Sequence, residues 1–329
     1  MLMSINQKQM SDKLKFHPLV ADAYSDVQKW LADYAPAQGF RNIQSPRQID
    51  LKGTDALNTA AQFDTYMPGH AFKVQQTLAE LIQQNRFGMT TGSEYLIFID
   101  VGCGGGAATA ALISTLLSSG KVERLPPVSH ILCVGMDPNQ EALHIYEQFL
   151  LALQRQLATL PGKRIELLYA LIRDGVPCDT LQYAQLIRHE TRHWQVKHPQ
   201  LLLAEVNIVS FLDKQHREEM SARSFGAGVA EWYTALCEAL QPSDATFMTI
   251  AAASSPHYVQ RAVQLGTIIQ RAFEDIPTNI EWSTENWGSD AVKSVSYSTP
   301  PGSRWTRGNS SEYTTTYVAD VRHVTAKYQ

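Results

Sequence analysis

The sequence predicts an α/β fold with a mostly parallel sheet flanked by helices, on three observations. Short, continuous apolar runs alternate with helical patterns from Tyr95 to Phe273. Unbroken apolar runs mark strands buried on both faces, and their alternation with helices builds βαβ units. After Phe273 the helical period gives way to strand-like pieces, which predict antiparallel strands closing the sheet edge. Before Tyr95 the pattern is helical, which predicts an N-terminal helical addition.

Taken in order, Leu19, Val20, Ala23, Val27, Trp30 and Leu31 recur at three- and four-residue spacing and predict a helix from His17 to Tyr34, stopped by Pro36 and Gly39. The polar stretch Phe40 to Thr54 reads as a connector. A second helix is expected to begin near Pro68, because proline suits a first turn, and to run to Asn85 with Val74, Leu78, Leu81 and Ile82 on its apolar face. YLIFIDVG from Tyr95 is the first buried strand, followed by the helical AATAALISTLLSS. ILCVGMD is the second strand, followed by a helix from Asn139 to Leu160. RIELLYALI is the third, ended by Asp174-Gly175, and a polar helix carrying His189 and His193 follows it. LLLAEVNIVSF is the fourth strand, GVAEWYTALCEAL a helix, ATFMTIAAA the fifth strand, and Tyr258 to Phe273 the last helix. NIEWST, VKSVSYS and EYTTTYVADVRHV are the closing strand-like pieces, with Pro300-Pro301-Gly302 between the last two.

The 329 residues suit one enlarged domain or a domain with a smaller partner. We read 1–90 as the helical addition, a lid or substrate-binding element, and 91–329 as the core. A net charge of −4 argues against a general nucleic-acid or anionic-membrane binder, and no nucleic-acid partner is expected. No apolar run spans a bilayer, and the first twenty residues lack a signal peptide's apolar centre. Cys103, Cys133, Cys178 and Cys237 form no CxxC pair, which disfavours a zinc knuckle or a disulfide framework. The expectation is a cytoplasmic, reduced enzyme.

The sharpest feature is Asp100-Val101-Gly102-Cys103-Gly104-Gly105-Gly106, at the end of the first buried strand and the start of a helix. Glycines there let a ligand approach the backbone, and a helix start presents unpaired N–H groups. A glycine loop alone also occurs in nicotinamide and flavin enzymes. A carboxylate at Asp100 suits a ligand carrying an ammonium group and opposes a pyrophosphate. Asp137 ends the second strand, where a carboxylate can take both ribose hydroxyls.

In these residues the sequence resembles the class I S-adenosylmethionine-dependent methyltransferases, from Ala61 to Val324 and most strongly in FIDVGCGGG and VGMDPNQ. The resemblance implies a Rossmann-like seven-stranded sheet with an antiparallel C-terminal hairpin. It places Asp100, Gly102, Gly104 and Gly106 against the methionine part of S-adenosylmethionine, with Cys103 in the same loop. Asp137 and Pro138 fall to the ribose and Asp174 to the adenine amine. EVNIVSF resembles the fourth-strand segment beside the transferred methyl, which brings in Glu205 and Asn207. FDTYMPGH (Phe63–His70) looks like a segment that small-molecule members carry over the cofactor, which brings in Tyr66. Asp137 follows Gly102 by 35 residues, where about 20 is usual for a ribose acid, and the excess falls in the loop SGKVERLPPVSH.

Plainer readings stand beside these. Asp137 could cap the helix beginning NQEAL, and Asp174 could be a turn residue. Cys103 could be a small filler. His189 and His193, spaced i, i+4, could ligate a metal or lie on a solvated face, and no metal is expected. Trp282, Trp287 and Trp305 could stack on a substrate or cover the sheet edge. Methyl transfer from a sulfonium chiefly needs positioning and exclusion of water. Where a general base is used, Tyr66 and His70 of the FDTYMPGH segment, Glu205 and Asn207 of the fourth strand, and His257 after the fifth are the candidates, with His70 and His257 first. The resemblance implies methyl transfer to O or N of a small-molecule acceptor; a protein or peptide acceptor, or a non-catalytic cofactor-binding protein, are the alternatives.

Overall fold

The structure is a computed structural model and describes residues 14–37, 56–84, 86, 94–118, 129–161, 165–176, 178–206, 222–254, 256–275, 280–298 and 312–328. Two helices come first, α1 (Pro18–Ala37) and α2 (Ala56–Gln83). There follow β1 (Tyr95–Val101), α3 (Ala107–Ser118), β2 (His130–Met136), α4 (Gln140–Leu157), β3 (Glu166–Ile172), α5 (Thr180–Glu190) and β4 (Gln200–Val206). The chain then forms α6 (Ala222–Leu240), β5 (Asp244–Ala252), α7 (Pro256–Asp275), β6 (Ile280–Asn286), β7 (Ser289–Ser298) and β8 (Glu312–Tyr328).

The strands form one sheet in the order β3-β2-β1-β4-β5-β8-β6, with β7 also paired to β8. β1 to β5 are parallel, and β8 runs antiparallel to β5 and to both of its other partners. β6 takes residues 322–328 of β8 and β7 takes 312–319, end to end along one edge. The expected seven positions are thus filled by eight strands. The order reverses between β1 and β4, so the crevice where open α/β sheets bind ligands opens above the carboxyl ends of those strands.

Successive side chains of each strand enter opposite cores. Leu96 and Phe98 of β1 and Leu202 of β4 face a core shared with α1 to α4. Ile97, Ile99 and Val101, with Leu201 and Leu203, face a second core shared with α5, α6 and α7. α1 and α2 are integral to the first core: Tyr24, Phe63, Phe72 and Leu78 are buried with Phe98 and Phe149.

The second helix differs from expectation. It begins at Ala56, and Pro68 lies in its interior. An internal proline leaves the carbonyl four residues earlier without its helical donor. That carbonyl is on Asp64, and the Tyr24 hydroxyl of α1 donates to it at 3.3 Å. The contact between helices repairs the gap, so the helix continues through the proline. The connector Phe40–Thr54, the Asn85 helix end, most of the SGKVERLPPVSH loop and the 300–302 break lie outside the described residues.

Candidate active site at the carboxyl ends of β1 and β2

Between β1 and α3 the backbone turns on three glycines with positive φ, Gly102 (62°), Gly104 (50°) and Gly106 (87°). Cys103 N–H donates to the Met136 carbonyl at 3.0 Å and Gly106 N–H to the Cys103 carbonyl at 2.7 Å, tying the turn to β2. The loop therefore has a packed side and an open side. On the packed side a Cβ on Gly106 would stand 2.6 Å from the Tyr146 ring, and one on Gly105 would stand 2.2 Å from Phe63. On the open side, Gly102 is exposed and a Cβ on Gly104 would meet nothing within 4 Å.

Asp137 faces the open side. Its Oδ2 accepts from Gly104 N–H at 3.0 Å and its Oδ1 from Asn139 N–H at 2.9 Å. It does not cap α4: the cap is Asn139, whose side chain accepts from Glu141 N–H at 3.0 Å while its Nδ2 donates to Thr59 of α2 at 3.0 Å. Burial raises the Asp137 pKa, and the two backbone bonds pull it back. Pro138 beside it is exposed.

Asp100 lies beneath the loop, 2% exposed. Its Oδ2 accepts from Thr109 N–H at 3.3 Å and from the Thr109 hydroxyl at 3.1 Å, which pins the first turns of α3 to the end of β1. Thr109 also meets the Tyr146 hydroxyl at 2.6 Å. Burial pushes the Asp100 carboxyl up to about 8, against the Thr109 bonds and with a further push from Asp137. Cys103 packs on the same side, 3% exposed, and burial raises its thiol well above the ordinary value.

Glu205 points the other way. Val101 is its partner in the β1–β4 register, so Glu205 faces the second core and Asp100 the first. Its carboxyl is met by the Tyr233 hydroxyl of α6 and, at 3.5 Å, by that of Thr249. Burial raises it to about 8. The sheet thus separates Glu205 from the packed side of the glycine loop. Asp174, after β3, is exposed; its Oδ1 accepts from Gly175 N–H and its Oδ2 from the Tyr183 hydroxyl, both at 2.8 Å.

Tyr66 and His70 share one stripe of α2, their rings nearly parallel with centroids 6.2 Å apart. Burial, and then Lys73, hold the His70 imidazole down at about 3, so it is neutral at physiological pH. Phe63 and Asp64 of the same segment belong to the core, Asp64 accepting from Gln28 at 2.5 Å. His257 lies in the first turn of α7, its side chain outside what is described, and Asn207 and Trp305 lie outside the described residues. His189 turns to Arg192, while His193 lies 3.4 Å from Glu166, so the two have separate partners. Trp282 packs edge-on against Phe273 and Trp287 stacks on His323 at 3.7 Å. Sequence reasoning missed Lys73, a lysine 4% exposed on the same stripe of α2.

Among the described residues, no helix is long and apolar enough to cross a membrane, and no three His, Cys, Asp or Glu side chains are grouped to hold a metal.

No family model matches the sequence, and no curated protein does. Solved structures are similar to it in fold. A SAM-dependent methyltransferase from Aquifex aeolicus is 10% identical, with 81% of this chain and 98% of that one covered and a TM-score of 0.36. A class I S-adenosylmethionine-dependent methyltransferase from Listeria monocytogenes is 10% identical over 94% and 81%, at 0.34. A type I restriction-modification methyltransferase subunit from Streptococcus thermophilus is 13% identical over 95% and 67%, at 0.29. A DrdV–DNA complex is also similar, at 10% identity over 93% and 29% and a TM-score of 0.31. Likeness at this level extends to no residue of the site. It does correct one expectation: nucleic acid cannot be set aside as a partner on net charge, because DNA-modifying proteins are among the similar structures. A chain of net charge −4 can still carry local surfaces of either sign, which whole-chain arithmetic does not register.

Proposed function

We propose that this chain binds S-adenosylmethionine across the carboxyl ends of β1 and β2 and transfers its methyl group to oxygen or nitrogen of a small-molecule acceptor. The observation that carries the reading is Asp137: a half-buried carboxylate at the end of β2, released from helix capping by Asn139 and turned to the open side of a left-handed glycine loop. The residues present fit the cofactor. Asp137 would take the ribose hydroxyls, exchanging its bond to Gly104 N–H for them. The exposed backbone at Gly102 and the open space at Gly104 would admit the methionine part. Asp100, one layer below and protonated to about pH 8, would act as a positioning residue, holding Thr109 and the start of α3 under the loop, so the expected carboxylate attraction for an ammonium group is not part of this reading. Asp174 would lie towards the adenine.

When bound, the cofactor supplies a methyl group on a sulfonium, already a good leaving group. The protein's share is to orient the acceptor and keep water out. Tyr66 and the neutral His70 on α2 would line the acceptor side, and His70, held at about 3, would accept a hydrogen bond there but not serve as a general base. α1 and α2 serve as the acceptor-side cover in this reading, supported by Phe63 lying on Gly105.

Calorimetric titration of S-adenosylmethionine and S-adenosylhomocysteine tests the proposal, with NAD as control. Micromolar binding is expected, weakened at least tenfold in Asp137→Ala, the scale of one lost charged hydrogen bond, about 1.5–3 kcal/mol. Binding of NAD alone, or of neither cofactor, would sink it. Labelled methyl transfer to small acids, phenols and amines, to peptides and to a DNA duplex then decides the acceptor; label arriving only on DNA or peptide overturns the small-molecule part.

A further inference from the structure

A cavity of about 220 Å³ opens between the last turns of α2 and the start of β7. Leu81, Trp287 and Val321 are on its apolar wall, and Glu80, Arg86 and Lys293 on its charged one. It lies apart from the glycine loop. From Phe63, which covers Gly105, to Glu80 is about 25 Å along α2. Val321 is on β8, three strands from β1, about 14 Å at ordinary strand spacing.

Trp287 is held before any ligand arrives. Its backbone N–H donates to the Val321 carbonyl at 2.8 Å, its indole N–H donates to Glu285 at 2.7 Å, and its ring stacks on His323 with centroids 3.7 Å apart. A ring fixed in three ways has little freedom left to lose when a flat molecule packs against it. Trp282, by contrast, is turned to the second core. The charges of the wall are unequal. Lys293, opposite Tyr317 in the β7–β8 register, reaches one oxygen of Glu80 at 2.5 Å, and the Gln76 amide donates to the other at 2.9 Å. The wall thus holds two cations and one acid, and the acid is already engaged. Arg86, exposed at the mouth, is the cation that Glu80 does not serve.

A planar guanidinium takes a carboxylate through two parallel N–H bonds. Size narrows the ligand further. About 150 Å³ is enough to hold benzene, and pockets for drug-sized ligands begin at roughly 300 Å³. The volume here therefore suits one ring with a small charged group and excludes a nucleotide. We propose that this cavity binds a single-ring aromatic carboxylate, its ring packed against Trp287 and Leu81 and its carboxylate held by Arg86, with Lys293 adding its charge. The site does not rest on the methyl-transfer reading.

The test titrates benzoate into the full chain by calorimetry, with benzamide as its neutral and benzylamine as its cationic counterpart. We expect benzoate to bind the wild type, with benzamide and benzylamine each weaker by about fivefold or more. Arg86→Gln, at an exposed position, and Trp287→Leu should each weaken benzoate by about fivefold or more, the scale of one charged contact or one aromatic pair. Absence of benzoate binding to the wild type, either counterpart binding as well as benzoate, or undiminished benzoate binding to Arg86→Gln overturns the proposal. S-adenosylhomocysteine is titrated into the wild type and Arg86→Gln alongside, so failure of the cofactor reading is seen separately. Should Trp287→Leu not fold, nitrogen-15 spectra of the wild type decide the matter. The indole N–H signal that Glu285→Gln displaces belongs to Trp287; its shift on adding benzoate is expected, and an unmoved signal is refuting.

Discussion

Replacing Asp100 by Asn should remove a pH dependence of stability that the wild type carries. The carboxyl is 2% exposed, and its hydrogen bonds come from Thr109, with no cation among its described partners. In the unfolded chain it gives up its proton near 3.8; in the folded chain it holds it to about 8. Between those values the folded state carries the extra proton, so raising the pH favours unfolding by about 1.4 kcal/mol per unit. Over the whole interval the upper bound is about 6 kcal/mol, and relaxation or water entry would reduce it. Below pH 3.8 both states are protonated and above pH 8 both are ionised, so the slope disappears at each end. Asn has the shape of the protonated acid, keeps an acceptor for Thr109 and does not titrate. Urea unfolding of the ligand-free protein at pH 5 and pH 8 should therefore show the wild type losing at least 2 kcal/mol more than Asp100→Asn. Because Glu205 also titrates near 8, the difference between the two proteins is the quantity to compare. Parallel pH profiles would refute the argument and mean that the buried carboxyl is ionised throughout.

The two sides of the glycine loop should respond differently to alanine. Gly106→Ala meets Tyr146 and a φ of 87° together and should cost about 2–4 kcal/mol by urea unfolding. Gly104→Ala points into open space and should cost about 1 kcal/mol, yet weaken S-adenosylhomocysteine binding in calorimetry. Tyr24→Phe removes the donor that serves the carbonyl freed by Pro68, and a loss of about 1–3 kcal/mol in denaturant is expected. Asp320→Ala strips Arg322 of a bidentate buried partner, both contacts 2.8 Å, and should cost about 3–5 kcal/mol in the same assay.

The parallel strands were legible because runs such as YLIFIDV are apolar at every position, a pattern that only a sheet covered on both faces requires. The start of α2 was not. Pro68 is a sound start signal locally, and it is overridden by a hydroxyl forty residues earlier that only the folded chain brings near. Asp137 was a plausible cap from sequence, but the cap is Asn139, whose side chain also donates to Thr59 of α2, a contact that only the folded chain makes. Asp100 and Glu205 read as members of one site because both end buried strands. Their separation onto opposite faces follows from a register in which Val101, not Asp100, is opposite Glu205. Lys73 gave no sequence signal beyond sharing a helical stripe with Tyr66, His70 and Thr77.

The shared edge of β8 has a consequence for how the chain is assembled. β5, β6 and β7 are all made before β8; β5 is paired to β4 on one side and to β8 on the other, and β6 and β7 take β8 as their strand partner. Until Glu312–Tyr328 arrives, a growing or shortened chain presents the outer side of β5 and two unpartnered strands, open backbone edges of the kind that recruit other chains. A stop codon or a proteolytic cut anywhere between Ser298 and Glu312 would therefore favour clumping over a merely smaller soluble product. It would also remove Tyr317 while leaving the glycine loop intact.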